Sequence, residues 1–215
     1  MDLNTKQRKV LFSEDIVSPS SIAVITEDQI AVDPSKGLIF WTDQNKETIE
    51  RASMDGNDRM TIANSIGPSC IALDIFDERV YWADYDTKTI ASVDYNGNDW
   101  RNILHYRTHI KMIDSLAIFE EKLYWIDWHQ GGVFVINKFN VTEVRKLISG
   151  VNVNTVRVYH SAVQPEFPNK CDQHSCGDGA ICLPKGNSSM GLPYSCVCAD
   201  GYTTGKEPNT CVLRI

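Results

Sequence analysis

At 215 residues, 42% hydrophobic and 23% charged, the chain has a globular composition with room for one large or two small domains. Its 21 basic and 28 acidic residues give a net charge of −7 without a basic run, which argues against a nucleic-acid partner. No apolar run is long enough to span a membrane, so this segment is expected to make no direct membrane contact.

The N-terminal stretch Met1–Lys9 has no apolar signal core. Six of the seven cysteines nevertheless lie between Cys171 and Cys211, which reads as a disulfide framework built in an oxidising compartment. The two facts together suggest an internal piece of a longer extracellular protein. Leu3–Leu11 matches the turn and fourth strand of a repeat whose first three strands are absent. The tripeptide Ile-Ala-Val then occurs at 22–24 and again at 30–32, an eight-residue duplication, and Ile30–Asp33 is the copy whose spacing to Trp41 suits a blade strand.

A short motif now occurs three times: Phe40-Trp41-Thr42-Asp43, Tyr81-Trp82-Ala83-Asp84 and Tyr124-Trp125-Ile126-Asp127, with tryptophans 41 and 43 residues apart. A period of that size marks a solenoid, an array or a propeller. Neighbouring side chains of a strand point to opposite faces, so Tyr81 and Trp82 require cover on both sides, as in a sheet stacked between sheets. Each repeat has an apolar strand upstream of the motif and another strand after it. The turns Asp55-Gly56-Asn57-Asp58 and Asn96-Gly97-Asn98-Asp99 come next, and then a fourth strand. The third repeat has Lys138-Phe139-Asn140 in place of the Asp-Gly turn, which weakens its hairpin signal. Four strands per period predict all-β blades at about 20–65, 66–108 and 109–150, with one further strand at 153–159. Pro165, Phe167 and Pro168 mark a linker, so a propeller unit over 1–164 and a cysteine module over 165–215 are expected.

Within the module, Cys196-Val197-Cys198 puts two cysteines on one strand facing opposite ways, so they bond different partners; six cysteines allow many pairings. Cys70 sits in an apolar strand and reads as a buried free thiol. Asn140-Val141-Thr142 and Asn187-Ser188-Ser189 are glycosylation sequons, which predict surface loops. Trp100, Trp128 and His129 stand outside the repeat pattern and are candidate ligand contacts, since loop aromatics often anchor partners.

The three aromatic-aspartate repeats, the Asp-Gly turns and the following six-cysteine module resemble the low-density lipoprotein receptor and its related proteins. In that family six such repeats close a six-bladed β-propeller flanked by epidermal-growth-factor-like modules. The resemblance implies a non-catalytic extracellular segment of an endocytic receptor at the plasma membrane and in endosomes. Its partners would be protein or lipoprotein ligands and the rest of its own chain, and the segment would amount to half a ring with 153–159 as the closing strand. It also implies pairing of Cys171 with Cys182, Cys176 with Cys196 and Cys198 with Cys211. Calcium-binding versions of the module carry acidic residues before the first cysteine; this chain has Asn169-Lys170 there, so no metal or cofactor is expected. The family implies that Asp43, Asp84 and Asp127 cap loop amides or pair with a nearby base, and Arg51 is a candidate partner for Asp43.

In such receptors, histidines on one propeller face help release ligand at acidic pH. The two family positions hold Lys88 and Met112 here, so that role is not carried over to a named histidine. Wnt co-receptors and basement-membrane nidogens use the same repeats, so a signalling or matrix protein is the alternative. A propeller hydrolase is a further reading. The sequence lacks a Gly-x-Ser-x-Gly elbow, which speaks against it.

Overall fold

The computed structural model describes residues 30–105, 110–150, 153–160, 163, 167–186 and 191–214. Leu3–Leu11, the first Ile-Ala-Val copy, His109 and Asn187 lie outside them. Twelve strands form three four-stranded antiparallel sheets, each a meander in chain order. The first holds β1 (Ile30–Asp33), β2 (Leu38–Asp43), β3 (Thr48–Ser53) and β4 (Met60–Asn64). The second holds β5 (Pro68–Asp74), β6 (Arg79–Asp84), β7 (Thr89–Asp94) and β8 (Arg101–His105). The third holds β9 (Ile113–Phe119), β10 (Lys122–Asp127), β11 (Gly132–Asn137) and β12 (Arg145–Ser149). The inner strands β1, β5 and β9 lie side by side, so the sheets stack as three blades of a β-propeller.

The repeat keeps its register from blade to blade. Trp41 lies opposite Ile30 and Glu50, Trp82 opposite Ile71 and Ala91, and Trp125 opposite Leu116 and Phe134. The pairing of third and fourth strands shifts at Ile49/Glu50, Ile90/Ala91 and Val133/Phe134, one equivalent point in each blade. A bulge there bends and twists the outer strand. Strand alternation places Trp82 in the core between the first and second blades, with Phe40 and Tyr95, and Tyr81 in the core between the second and third, with Trp125. Truncating one of these buried rings costs about 3–5 kcal/mol. Tyr124 is half-buried, on the far side of the third blade.

Gly56 and Gly97 take φ of 88° and 85° in the Asp55-Gly56 and Asn96-Gly97 turns, a conformation that suits glycine. The third hairpin closes without one. The Asn137 Oδ1 accepts the amides of Phe139 (2.9 Å) and Asn140 (3.1 Å), as the Asp94 Oδ1 accepts those of Asn96 and Asn98 (each 2.8 Å). A side-chain acceptor thus closes the turn where the Asp-Gly pair is missing.

Residues 153–159, expected as a strand, form no ladder. The Ser115 Oγ accepts the Val156 amide at 3.1 Å and lies 3.5 Å from its carbonyl. Cys70 holds the matching place in β5, and its Sγ lies 3.9 Å from the Ile113 carbonyl. Val156 therefore stands to β9 as Ile113 stands to β5. An inner strand pairs by backbone only with its own blade's second strand, and among the described residues 153–159 has none.

The remaining strands, β13 (Ala180–Pro184), β14 (Tyr194–Cys198), β15 (Tyr202–Thr204) and β16 (Cys211–Leu213), form two hairpins. Three disulfides hold them: Cys171–Cys182, Cys176–Cys196 and Cys198–Cys211. The hairpins lie against the first blade. The Gly186 amide donates to the Ser53 Oγ (2.6 Å) and the Ser195 Oγ to the Asp55 Oδ2 (2.5 Å). A side chain at Gly37, where φ is 70°, would meet the Lys185 carbonyl at 2.1 Å, so this contact requires glycine.

Candidate functional site

Each blade presents two ends. The β2–β3, β6–β7 and β10–β11 turns and the linkers between blades share one end, where the motif aspartates sit; this is the motif face. The first-to-second and third-to-fourth strand turns share the other, where the cysteine hairpins dock; this is the module face.

All three motif aspartates are buried. The Asp84 Oδ1 accepts the amides of Asp86 (3.0 Å) and Thr87 (2.8 Å) in its own turn. Its Oδ2 accepts from the Ser65 hydroxyl (2.6 Å) and the Gly67 amide (3.2 Å) of the linker from the preceding blade. The Trp82 indole N–H donates to the Ser65 Oγ (3.0 Å), which ties the motif tryptophan into the same bond network. Asp127 repeats the arrangement, accepting from the Gln130 amide (3.1 Å) in its turn and the Lys111 amide (2.7 Å) in the linker. Asp43 accepts the Asn45 and Lys46 amides (3.1 and 3.0 Å), and the residues matching the linker lie outside those described. Burial raises the Asp84 carboxyl, but the bonds from Ser65, Thr87 and Gly67 outweigh it and hold it below the usual carboxylate range. The motif acids are thus committed to amides, one per blade, and do not converge as a metal-binding or catalytic cluster. Arg51 does not reach Asp43; its guanidinium donates to the Tyr95 carbonyl (2.9 Å) and the Asn96 Oδ1 (2.8 Å) of the next blade.

The motif face carries exposed aromatic and apolar side chains among charged and polar ones. Trp128 comes directly after Asp127 and is 56% exposed, with the His129 ring 5.3 Å away. Tyr85 comes after Asp84 in the same way and is 41% exposed. Lys88 lies 5.9 Å from the Tyr85 ring and donates to the Lys111 carbonyl (2.7 Å) across the blade boundary. Exposed Ile66 and Met112 come from the linkers. Beside Trp128, burial and then the Asp127 charge push the Asp114 carboxyl up, and His129 opposes them. Sequence reasoning alone misses Tyr85, Ile66 and Met112 as surface contacts. The signal for them is position, either next to a motif aspartate or in the linker its carboxylate holds.

Trp100 does not join this group. It is exposed in the β7–β8 turn, on the module face. Asn140 is also exposed on that face, in the β11–β12 turn. Cys70 is buried and outside the three disulfides. His174 lies close to the sulfurs of Cys176 and Cys182, but both are in disulfides and offer no thiolate to a metal.

No family model matches the chain. It is 35% identical over 187 residues to the vitellogenin receptor Yl of Drosophila melanogaster, a stretch that is 86% of this chain and 9% of that protein. Among solved structures, the nidogen/laminin complex matches with a TM-score of 0.55 at 20% identity, over 73% of this chain and 54% of that one. Hydrazine synthase of Kuenenia stuttgartiensis matches with a TM-score of 0.51 at 13% identity, over 60% of this chain and 38% of that one. At those identities the two structures speak for the fold alone.

Proposed function

As the chain belongs to the low-density lipoprotein receptor family, we propose that it is a non-catalytic protein-contact platform in an endocytic receptor, and that ligands meet it on the motif face. The observation that carries this reading is the pairing of a rigid base with exposed aromatic and apolar anchors. Buried carboxylates Asp84 and Asp127 fix their turns to the linker from the preceding blade, and Tyr85, Met112 and Trp128 stand exposed above them. Aromatic anchors on a preorganised scaffold bind at low entropic cost. The module face is a poorer candidate, because the cysteine hairpins cover part of it. The chain is a receptor-type extracellular segment, and passage through the endosomal lumen is part of the proposal.

The similar receptor is named for vitellogenin, so vitellogenin is the probe. Cells displaying the receptor that carries this chain are given labelled vitellogenin. Replacing Tyr85 and Trp128 together by alanine is expected to lower uptake several-fold at unchanged surface display. Unchanged uptake would remove the motif face from the binding surface.

A further inference from the structure

On the module face, a shallow apolar groove of about 80 Å³ lies between the second and third blades, with Val163 also lining it. Leu73, Ile75 and Phe76 form one wall, and Ile118, Phe119 and Glu120 the other. Phe76 is 74% exposed, so the groove is open to solvent.

The β11–β12 loop is fastened to both walls. Its Lys138 ammonium is bonded to Asp74 and to Asp77 (2.9 Å) on the first. The Asn137 side-chain amide donates to the Glu121 Oε2 (3.1 Å), and the Lys138 amide to the Glu121 carbonyl (2.8 Å), on the second. Within this loop Val141 turns inward onto the core, while its neighbours Asn140 and Thr142 are exposed. That orientation leaves the sequon amide and hydroxyl accessible from outside. Phe139, directly before Asn140, is 60% exposed; the Lys138 ammonium lies 4.7 Å from its ring centroid, and the remaining ring surface is open.

We propose that Asn140 carries an N-linked glycan whose first sugars lie over Phe139 and along this groove. In the transfer, the Asn140 Nδ2 bonds to the anomeric carbon of a polyprenyl-pyrophosphate-linked oligosaccharide. The sugar–phosphate bond breaks, the lipid pyrophosphate leaves, and the amide gives up one proton to a base of the transferase. The chemistry of the groove suits this occupant. One face of a pyranose presents C–H groups that pack on an aromatic ring or an apolar floor, and its hydroxyls donate to carboxylates. Phe139 and Phe76 offer the rings, and Asp77, Glu120 and Glu121 the acceptors at the rim. A glycan is also bulky and solubilising, so it closes an apolar patch that would otherwise favour association. Glycan and cysteine hairpins together would cover the module face and leave the motif face open.

The test uses the full-length secreted or displayed protein made in a eukaryotic secretory host. Mass analysis of the peptide holding Asn140 is expected to show a hexosamine-based glycan; an unmodified Asn140 would overturn the proposal. Two further samples remove or shorten the glycan: Thr142→Ala, which keeps the asparagine, and folded protein trimmed enzymatically to the first sugar. Thr142→Ala is expected to lower Tm by about 2–4 °C and to raise the fluorescence of an apolar dye. Trimming should leave Tm nearly unchanged, because the first sugar packs on Phe139, and should raise dye fluorescence part of the way, because the groove is uncovered. In a Phe139→Ala background the effect of Thr142→Ala should vanish. An effect of equal size with and without Phe139, or no change in dye binding, would show that the groove belongs to a different occupant, such as a protein partner.

Discussion

The two faces of the blade stack are joined in different ways. On the motif face the same bond recurs: a buried aspartate holds the amides of its own turn and those of the preceding linker, through Asp84 to Gly67 and Asp127 to Lys111. On the module face the last residue of the inner strand reaches the residue after the next blade's third strand, and the chemistry changes at each step. Asp33 accepts from the Tyr95 hydroxyl (3.1 Å), whereas Asp74 pairs with the Lys138 ammonium. At the third position Phe119 replaces the acid and packs on the His160 ring, 5.0 Å away. The motif therefore specifies one joint, and the other is free to vary because only its geometry is repeated.

That contrast can be broken at either face. The largest effect is expected for Asp84→Ala, which leaves two linker donors and two turn amides without their acceptor; it should cost about 3–4 kcal/mol in denaturant unfolding. Next comes Lys138→Met, which strands Asp74 in a buried site, at about 3 kcal/mol. The double change Asp74→Leu with Lys138→Met should recover most of that loss, because it removes the charge along with its partner. Tyr95→Phe removes one hydroxyl bond, while Asp33 keeps the Ser35 hydroxyl (2.5 Å) and the Lys36 amide (3.1 Å), so about 1 kcal/mol is expected.

The motif joint was legible in part and the module-face joint was not. The family resemblance implied that the motif aspartates cap loop amides or pair with a nearby base, whereas their bonds to the preceding linker left no signal in the sequence. The module-face partners lie 62 and 64 residues apart, and one is a tyrosine where the other is a lysine, so no pattern announces them. Ser195 and Asp55 are ordinary turn residues until folding brings them within 2.5 Å, 140 positions apart. The alternation in 153–159 was readable, but a ladder also needs a partner backbone. Trp100 and Trp128 look alike as loop aromatics. Only the count of strands between them, three, puts them on opposite faces.

The smallest expected effect concerns pH. Burial raises the Asp55 carboxyl, but bonds from Ser195, Asn57 and Ser53 hold it below its ordinary value, as the linker bonds do for Asp84. Groups lowered in the fold stabilise it above their unfolded pKa of about 3.9 and lose that contribution as pH falls through the folded value. Both the module contact and the motif joint should then be intact between pH 7 and 5, with Tm flat over that range and falling below about pH 4. A fall between pH 6 and 5 would instead assign control to a histidine.

The most direct test of the motif-face account is residue-level hydrogen exchange in Asp84→Ala. The cross-blade joint predicts faster exchange at Gly67, in the linker of the neighbouring blade, as well as at Asp86 and Thr87 in the local turn. Faster exchange confined to Asp86 and Thr87, with Gly67 unchanged, would reduce the motif aspartate to a turn cap and contradict its role in joining the blades.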